Sequence, residues 1–185
     1  MRKQLLFASM LLAAGPFAYA AGFSLTSSEL KAGGMMPKSF EFNGFGCAGD
    51  NKSPALKWSG APAGTKSFAV TVYDPDAPTG SGWWHWVVVN IPASVTELAS
   101  NAGAVGGANL PAGASNVKVD FGFAGWGGTC PPQGDKPHRY IFTVYALKTD
   151  KLDLPADATS ALAGFMINAN KLGKASFTSR YGRPK

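Results

Sequence analysis

A mainly β domain with one C-terminal helix is predicted for this 185-residue chain by three features. Its 23 glycines and 13 prolines mark many turns, and its 45% hydrophobic and 12% aromatic residues suffice for a core. Several short stretches also alternate with a period of two. The length fits one domain by the prior of about 100 to 200 residues per domain.

The first twenty residues stand apart from that domain. Arg2 and Lys3 precede the apolar run Leu5 to Ala14, and Ala18-Tyr19-Ala20 supplies small residues at the expected cleavage positions. Residues 1–20 read as a secretory signal peptide and 21–185 as the single folded domain. The apolar run is too short for a membrane span, and nothing later approaches about 20 consecutive apolar residues. No stable membrane insertion is expected. No cysteine follows the cleavage point, so no lipid anchor is expected either. The expected location is periplasmic or secreted.

The strands follow in chain order. Phe68, Val70 and Val72 alternate with Ala69, Thr71 and Tyr73, a strand with one face in the core that ends at Asp74-Pro75. Trp83 to Ile91 is near-continuously apolar, as in a central strand covered on both faces. Arg139 to Leu147 sets Tyr140, Phe142, Val144 and Ala146 opposite Ile141, Thr143 and Tyr145. Shorter candidates are Phe23 to Ser27, Ser39 to Phe42, Leu56 to Ser59, Val117 to Phe121 and Ala175 to Tyr181. The helix is expected over Ala158 to Lys171, with Asp157 as N-cap and Gly173 as the stop. A short helical turn is expected near Glu29 to Ala32. Pro92 to Asn116, rich in Ala, Gly and Asn, reads as a long surface excursion.

Export decides how the two cysteines are read. Thiols in an oxidising compartment pair, and Cys47 and Cys130 permit one intramolecular connectivity, so a Cys47-Cys130 disulfide is expected. Two buried thiols are the alternative. No Cys-x-x-Cys or Cys/His ligand spacing supports a metal. The net charge of +6 includes Arg2 and Lys3, whose removal leaves only +4. The basic residues Lys171, Lys174, Arg180, Arg183 and Lys185 read as a solvated tail, and no nucleic-acid partner is assigned.

Chemistry concentrates in three places. In Asp74-Pro75-Asp76-Ala77-Pro78 a strand runs into two carboxylates on a loop that proline stiffens. A turn cap is the alternative role for either Asp alone, more so for Asp76 than for Asp74, which leaves the strand first. His85 follows among Trp83, Trp84 and Trp86, and alternation places Trp84 and Trp86 opposite His85 and Trp83. His138 opens the third strand after the glycine- and proline-rich loop Gly125 to Gly134, whose backbone N–H groups suit an anion. His138 and Tyr140 share a face; Arg139 faces away, toward an acidic partner. Protonated imidazole and tyrosine hydroxyl suit phosphate or carboxylate oxygens.

These motifs resemble the phosphatidylethanolamine-binding protein family, in particular its bacterial Raf-kinase-inhibitor-like branch. The resemblance is carried by Ser53-Pro54-Ala55-Leu56-Lys57-Trp58, the Asp-Pro-Asp-Ala-Pro run, Trp83 to Asn90, Cys130-Pro131-Pro132 and His138-Arg139-Tyr140, in family order. It implies a β-sandwich with a large antiparallel sheet, a smaller sheet and peripheral helices. It also implies an anion pocket lined by Asp74, His85, Pro132, His138 and Tyr140, with Asp76 shaping the loop and Trp83 as neighbour. Trp84 and Lys136 depart from the pattern, where some members have histidine and glycine.

The function expected is noncatalytic binding of a small anionic ligand or phospholipid head group, without cofactor or metal. A secreted protein-interaction module, acting on a protein partner as a protease inhibitor or host-directed effector, is the alternative. The sequence holds no His-Glu-x-x-His, Gly-x-Ser-x-Gly or glycine-lysine phosphate loop to carry an enzyme reading.

Overall fold

The computed structural model describes residues 22–185; the expected signal peptide and cleavage site lie outside them. Two antiparallel sheets organise the chain. The smaller orders β1 (Ser24–Thr26), β2 (Leu56–Ser59) and β5 (Glu97–Leu98) as β1-β2-β5. The larger runs β6-β4-β3-β7-β8, from β3 (Ser67–Asp74), β4 (Trp83–Pro92), β6 (Ser115–Asn116), β7 (His138–Leu147) and β8 (Lys171–Tyr181). The helix α1 (Ser160–Asn170) connects β7 to β8.

The large sheet has apolar side chains on both faces, and each face has its own core. Phe68, Val70, Val72, Trp86, Val88, Phe142 and Val144 pack against Leu25, Leu56, Trp58 and Leu98 of the small sheet. On the other face, Ala69, Val87, Val89 and Leu147 pack against Ala163 and Ile167 of α1 and against Val117, Val119 and Leu152 of loops. The β3 strand is therefore covered on both sides, not one. Alternation registers side-chain polarity, and the small, buried Ala69 and Thr71 hid the second layer.

Several expected elements change when the neighbours are in place. Ser39 to Phe42 is a 3-10 turn over Lys38–Phe40 rather than a strand, and only Glu41 forms a bridge, to Thr129. Val117 to Phe121 is a loop with isolated bridges at Lys118 to Ala124 and Thr159. The strand near it is β6, two residues long; Val117 N–H still donates to Val87 O of β4, but Val119 N–H turns to Phe123 O within the loop. No helical turn forms at Glu29 to Ala32; Ser27 Oγ accepts from the N–H groups of Glu29 and Leu30. The helix cap is Thr159, whose hydroxyl accepts from Leu162 N, not Asp157. The helix ends at Asn170, and Gly173 lies inside β8. Pro92 to Asn116 is a long connection as expected, but it contributes β5 to one sheet and β6 to the other.

Cys47 and Cys130 form a disulfide that spans 83 residues. Among the described residues, no helix is long and apolar enough to cross a membrane.

Candidate binding pocket

The central strands β3, β4 and β7 deliver their ends to one place. Asp74 is the last residue of β3, Trp83 its register partner at the start of β4, and His138 the first residue of β7. A register shift between Val72 and Tyr73 leaves His85 without a partner of its own, since Val72 faces Trp86 and Tyr73 faces Trp84. This bulge turns His85 and Trp86 to the same side of the sheet. Trp86 and Trp84 consequently enter opposite cores, contrary to simple alternation. An insertion of one residue leaves no mark in the polarity pattern of so apolar a strand.

A cavity of about 200 Å³ opens where these ends meet. Asp74, His85, His138 and Tyr140 form its floor. Its walls include Trp83, Phe121, Phe45, Ala77, Pro78, Thr79 and the Cys130-Pro131-Pro132 run. Asp76 is not among them. Its carboxylate faces outward, accepts from the Arg139 backbone N–H at 2.8 Å, and pairs with the guanidinium at 2.9 Å (Nε) and 2.6 Å (Nη2). The Arg139 side-chain hydrogen bond holds the Asp76 pKa down at about 2, against a partial opposing effect of burial.

The floor is buried and internally bonded. Asp74 is 2% exposed, His85 3% and His138 5%. His138 Nδ1 lies 2.8 Å from Asp74 Oδ2, while Asp74 Oδ1 accepts from Asp76 N–H at 2.8 Å. With Asp74 ionised, the ring nitrogen donates. His85 Nδ1 meets the Gly127 carbonyl at 2.7 Å and must donate there, since a carbonyl only accepts. Burial pushes the His85 pKa below its ordinary value, more than the carbonyl bond and the Asp74 charge raise it. The free imidazole is therefore neutral at pH 7. Tyr140 is fully buried, its hydroxyl makes no hydrogen bond, and burial pushes its pKa well above the ordinary tyrosine value.

Four successive N–H groups of the glycine-rich loop are spent on the protein rather than on the cavity. Trp126 N donates to Gly103 O, Gly127 N to His85 O, Gly128 N to Asn51 Oδ1 and Thr129 N to Phe40 O. Glycine is needed there for close approach: a Cβ on Gly127 would strike the Phe121 ring, and one on Gly128 the backbone of Phe40 to Phe42.

The walls were harder to foresee than the floor. Phe45 stands at φ 54°, an unusual conformation for a bulky side chain, and is 71% exposed. Its ring stacks on Phe121 with centroids 5.9 Å apart, and Phe121 meets Trp83 edge-on at 5.5 Å. The one available signal was Cys47, two residues from Phe45, whose expected disulfide draws this loop to Cys130.

The sequence pattern of the family described as phosphatidylethanolamine-binding protein matches residues 26–182. The chain belongs to the phosphatidylethanolamine-binding protein family. Within that family it is 59% identical over 164 residues to the UPF0098 protein YbcL of Escherichia coli, covering 89% of this chain and 90% of the relative. The crystal structure of YbcL superposes with a TM-score of 0.86 over 88% of this chain and 99% of that one. The UPF0098 protein YbhB of Escherichia coli is 48% identical over 85% of this chain and 98% of its own length. A putative lipoprotein of Mycobacterium tuberculosis, LppC, is 38% identical over 71% of this chain and 60% of its own.

Proposed function

We propose that this family member is an exported, noncatalytic binding protein whose pocket takes a phosphate-like or carboxylate group, such as a phospholipid head group. The observation that carries the reading is the unpartnered, fully buried Tyr140 hydroxyl beside two buried histidines on the pocket floor. A buried polar group without a partner costs about 1 to 3 kcal/mol, and a ligand oxygen accepting from it removes that cost. Asp74 orients His138 through Nδ1 and keeps that ring in a fixed plane. Pro132 and Trp83 shape the walls, and Asp76 binds the loop to β7 rather than touching ligand.

Export is supported by the basic and apolar pattern of residues 1–20, by a disulfide and by a relative named as a putative lipoprotein. Noncatalytic binding is supported by membership of a family described by what it binds. Isothermal titration with phosphorylethanolamine, phosphate and acetate should give saturable heat, weakened at least about tenfold in His138→Ala by loss of about 1.4 kcal/mol or more. A folded protein that gives no heat with any of them refutes the pocket assignment.

One observation favours a second reading, a secreted protein-interaction module acting as a protease inhibitor or host-directed effector. Phe45 projects from the rim, 71% exposed, on a loop tied by the Cys47-Cys130 disulfide and by Arg183, which donates to Gly46 O and Pro131 O. A rigid exposed aromatic suits a protein anchor. Inhibition across a serine-protease panel, lost in Phe45→Ser with phosphorylethanolamine binding intact, would establish it.

A further inference from the structure

We propose that the pocket selects acids that arrive carrying their own proton, phosphate monoesters above phosphodiesters, because its floor presents hydrogen-bond acceptors where an anion site ordinarily presents cations. The inference rests on the anion-pocket reading above and names its ligand class.

The donor inventory is short. None of the residues lining the cavity is lysine or arginine. Both imidazoles commit Nδ1 to the protein, His85 to the Gly127 carbonyl and His138 to Asp74, so the neutral His85 ring offers the cavity only its Nε2 lone pair. The Tyr140 hydroxyl is a donor without a partner, and Trp83 brings an indole N–H to the wall. A dianionic phosphate, which only accepts, would therefore set an oxygen against the His85 lone pair. A monoanionic monoester fits, since its P–OH donates to an imidazole Nε2 while another phosphate oxygen accepts from Tyr140.

The groups facing these rings come from each packed element. His85 feels Asp74 from β3, Asp120 from the loop after β6, the Gly127 carbonyl, and the Tyr140 ring from β7 at 5.0 Å. His138 faces Asp74 and, from Nε2 at 3.6 Å, Asp135 of the preceding loop; Asp76 and Arg139 pair outside the floor. The carboxylates favour protonation of His85, yet burial outweighs them and keeps the empty site neutral there.

Proton balance separates the ligands. Phosphate monoesters lose their second proton near pH 6. Above that pH, the complex must regain one proton, held on the phosphate or on His85 Nε2. A diester has no P–OH to bring, so binding must place the proton on a buried imidazole.

Titration calorimetry at pH 8, in two buffers of different ionisation heat, compares phosphorylethanolamine, inorganic phosphate and the diester glycerophosphorylethanolamine. The monoester and free phosphate should each take up about one proton, with affinity falling about tenfold per pH unit above about pH 6 for the monoester and above about pH 7 for free phosphate. The diester should bind at least about tenfold more weakly, a difference of about 1.4 kcal/mol. In His85→Gln, whose amide supplies a permanent donor, the pH slope should flatten and the diester should gain. Equal affinity for the two esters, or monoester binding without proton uptake, overturns the selectivity while leaving the anion pocket in place. An unchanged slope in His85→Gln overturns His85 as the acceptor. No heat from any of the three ligands at any pH overturns the anion pocket and this inference together.

Discussion

Two aspartates two positions apart in the sequence do different work, and the difference lies in where each side chain points. Asp74, still in β3, turns into the sheet end and holds His138; Asp76, past Pro75, turns outward and grips Arg139. The Asp76 pKa falls from 3.8 to about 2, so its carboxylate favours the folded state above about pH 4 and loses that effect as pH falls through about 2. Asp76→Asn should accordingly lower the urea midpoint at pH 7, modestly because the pair is partly solvated. That gap should close by pH 2. A gap that persisted there would mean that the loop, not the charge, is what Asn disturbs. The family resemblance has Asp74 lining the pocket and Asp76 shaping the loop; the hydrogen bonds say which partner each carboxylate takes. The same holds for His85, whose protonation state follows from the Gly127 carbonyl and complete burial, neither of which its neighbours in sequence announce.

At the level of elements, strands with strong β-branched or aromatic content were legible and short irregular ones were not. The β3, β4 and β7 strands form where Val, Ile, Phe and Trp cluster, within a residue or two of the expected bounds. Ser39 to Phe42 has similar composition, but Glu41 is buried and bonds Ala48 N–H and the Tyr181 hydroxyl, which bends this segment away from a ladder. The basic residues Lys171, Lys174 and Arg180 belong to β8, at the edge of the large sheet, rather than to a loose tail. Lysine at an edge opposes pairing with another chain. Helix α1 is short and its cap is exposed to test. Thr159→Ala removes the bond to Leu162 N and should destabilise the protein by about 1 kcal/mol in chemical denaturation, with Thr159→Ser recovering most of it. An equal loss in both variants would place the effect in packing instead.

Across the whole molecule, the pocket is assembled from segments far apart in the chain. Phe45, Asp74, Phe121, Pro131 and His138 come from four different connections or strand ends. The Cys47-Cys130 disulfide and Arg183 hold two of its walls together. In the chain-entropy account, closing a loop of 83 residues stabilises the fold by about 4.5 kcal/mol. The double variant Cys47→Ser with Cys130→Ser should lose about that much in urea denaturation and should bind phosphorylethanolamine more weakly. Full affinity in the folded double variant would show that Arg183 alone suffices to set the walls.

The sequence by itself determined the β class, the three long strands, the family and the pairing of the only two cysteines, because each rests on local composition, spacing or count. It also singled out Asp74, His85, His138 and Tyr140, since those residue types stand at strand ends. Tertiary structure alone decided the bulge that aims His85, the outward turn of Asp76, the consumption of the glycine-loop donors and the aromatic rim of Phe45 and Phe121. Each of these depends on contacts between residues tens of positions apart, and a pattern read along the chain carries no term for them.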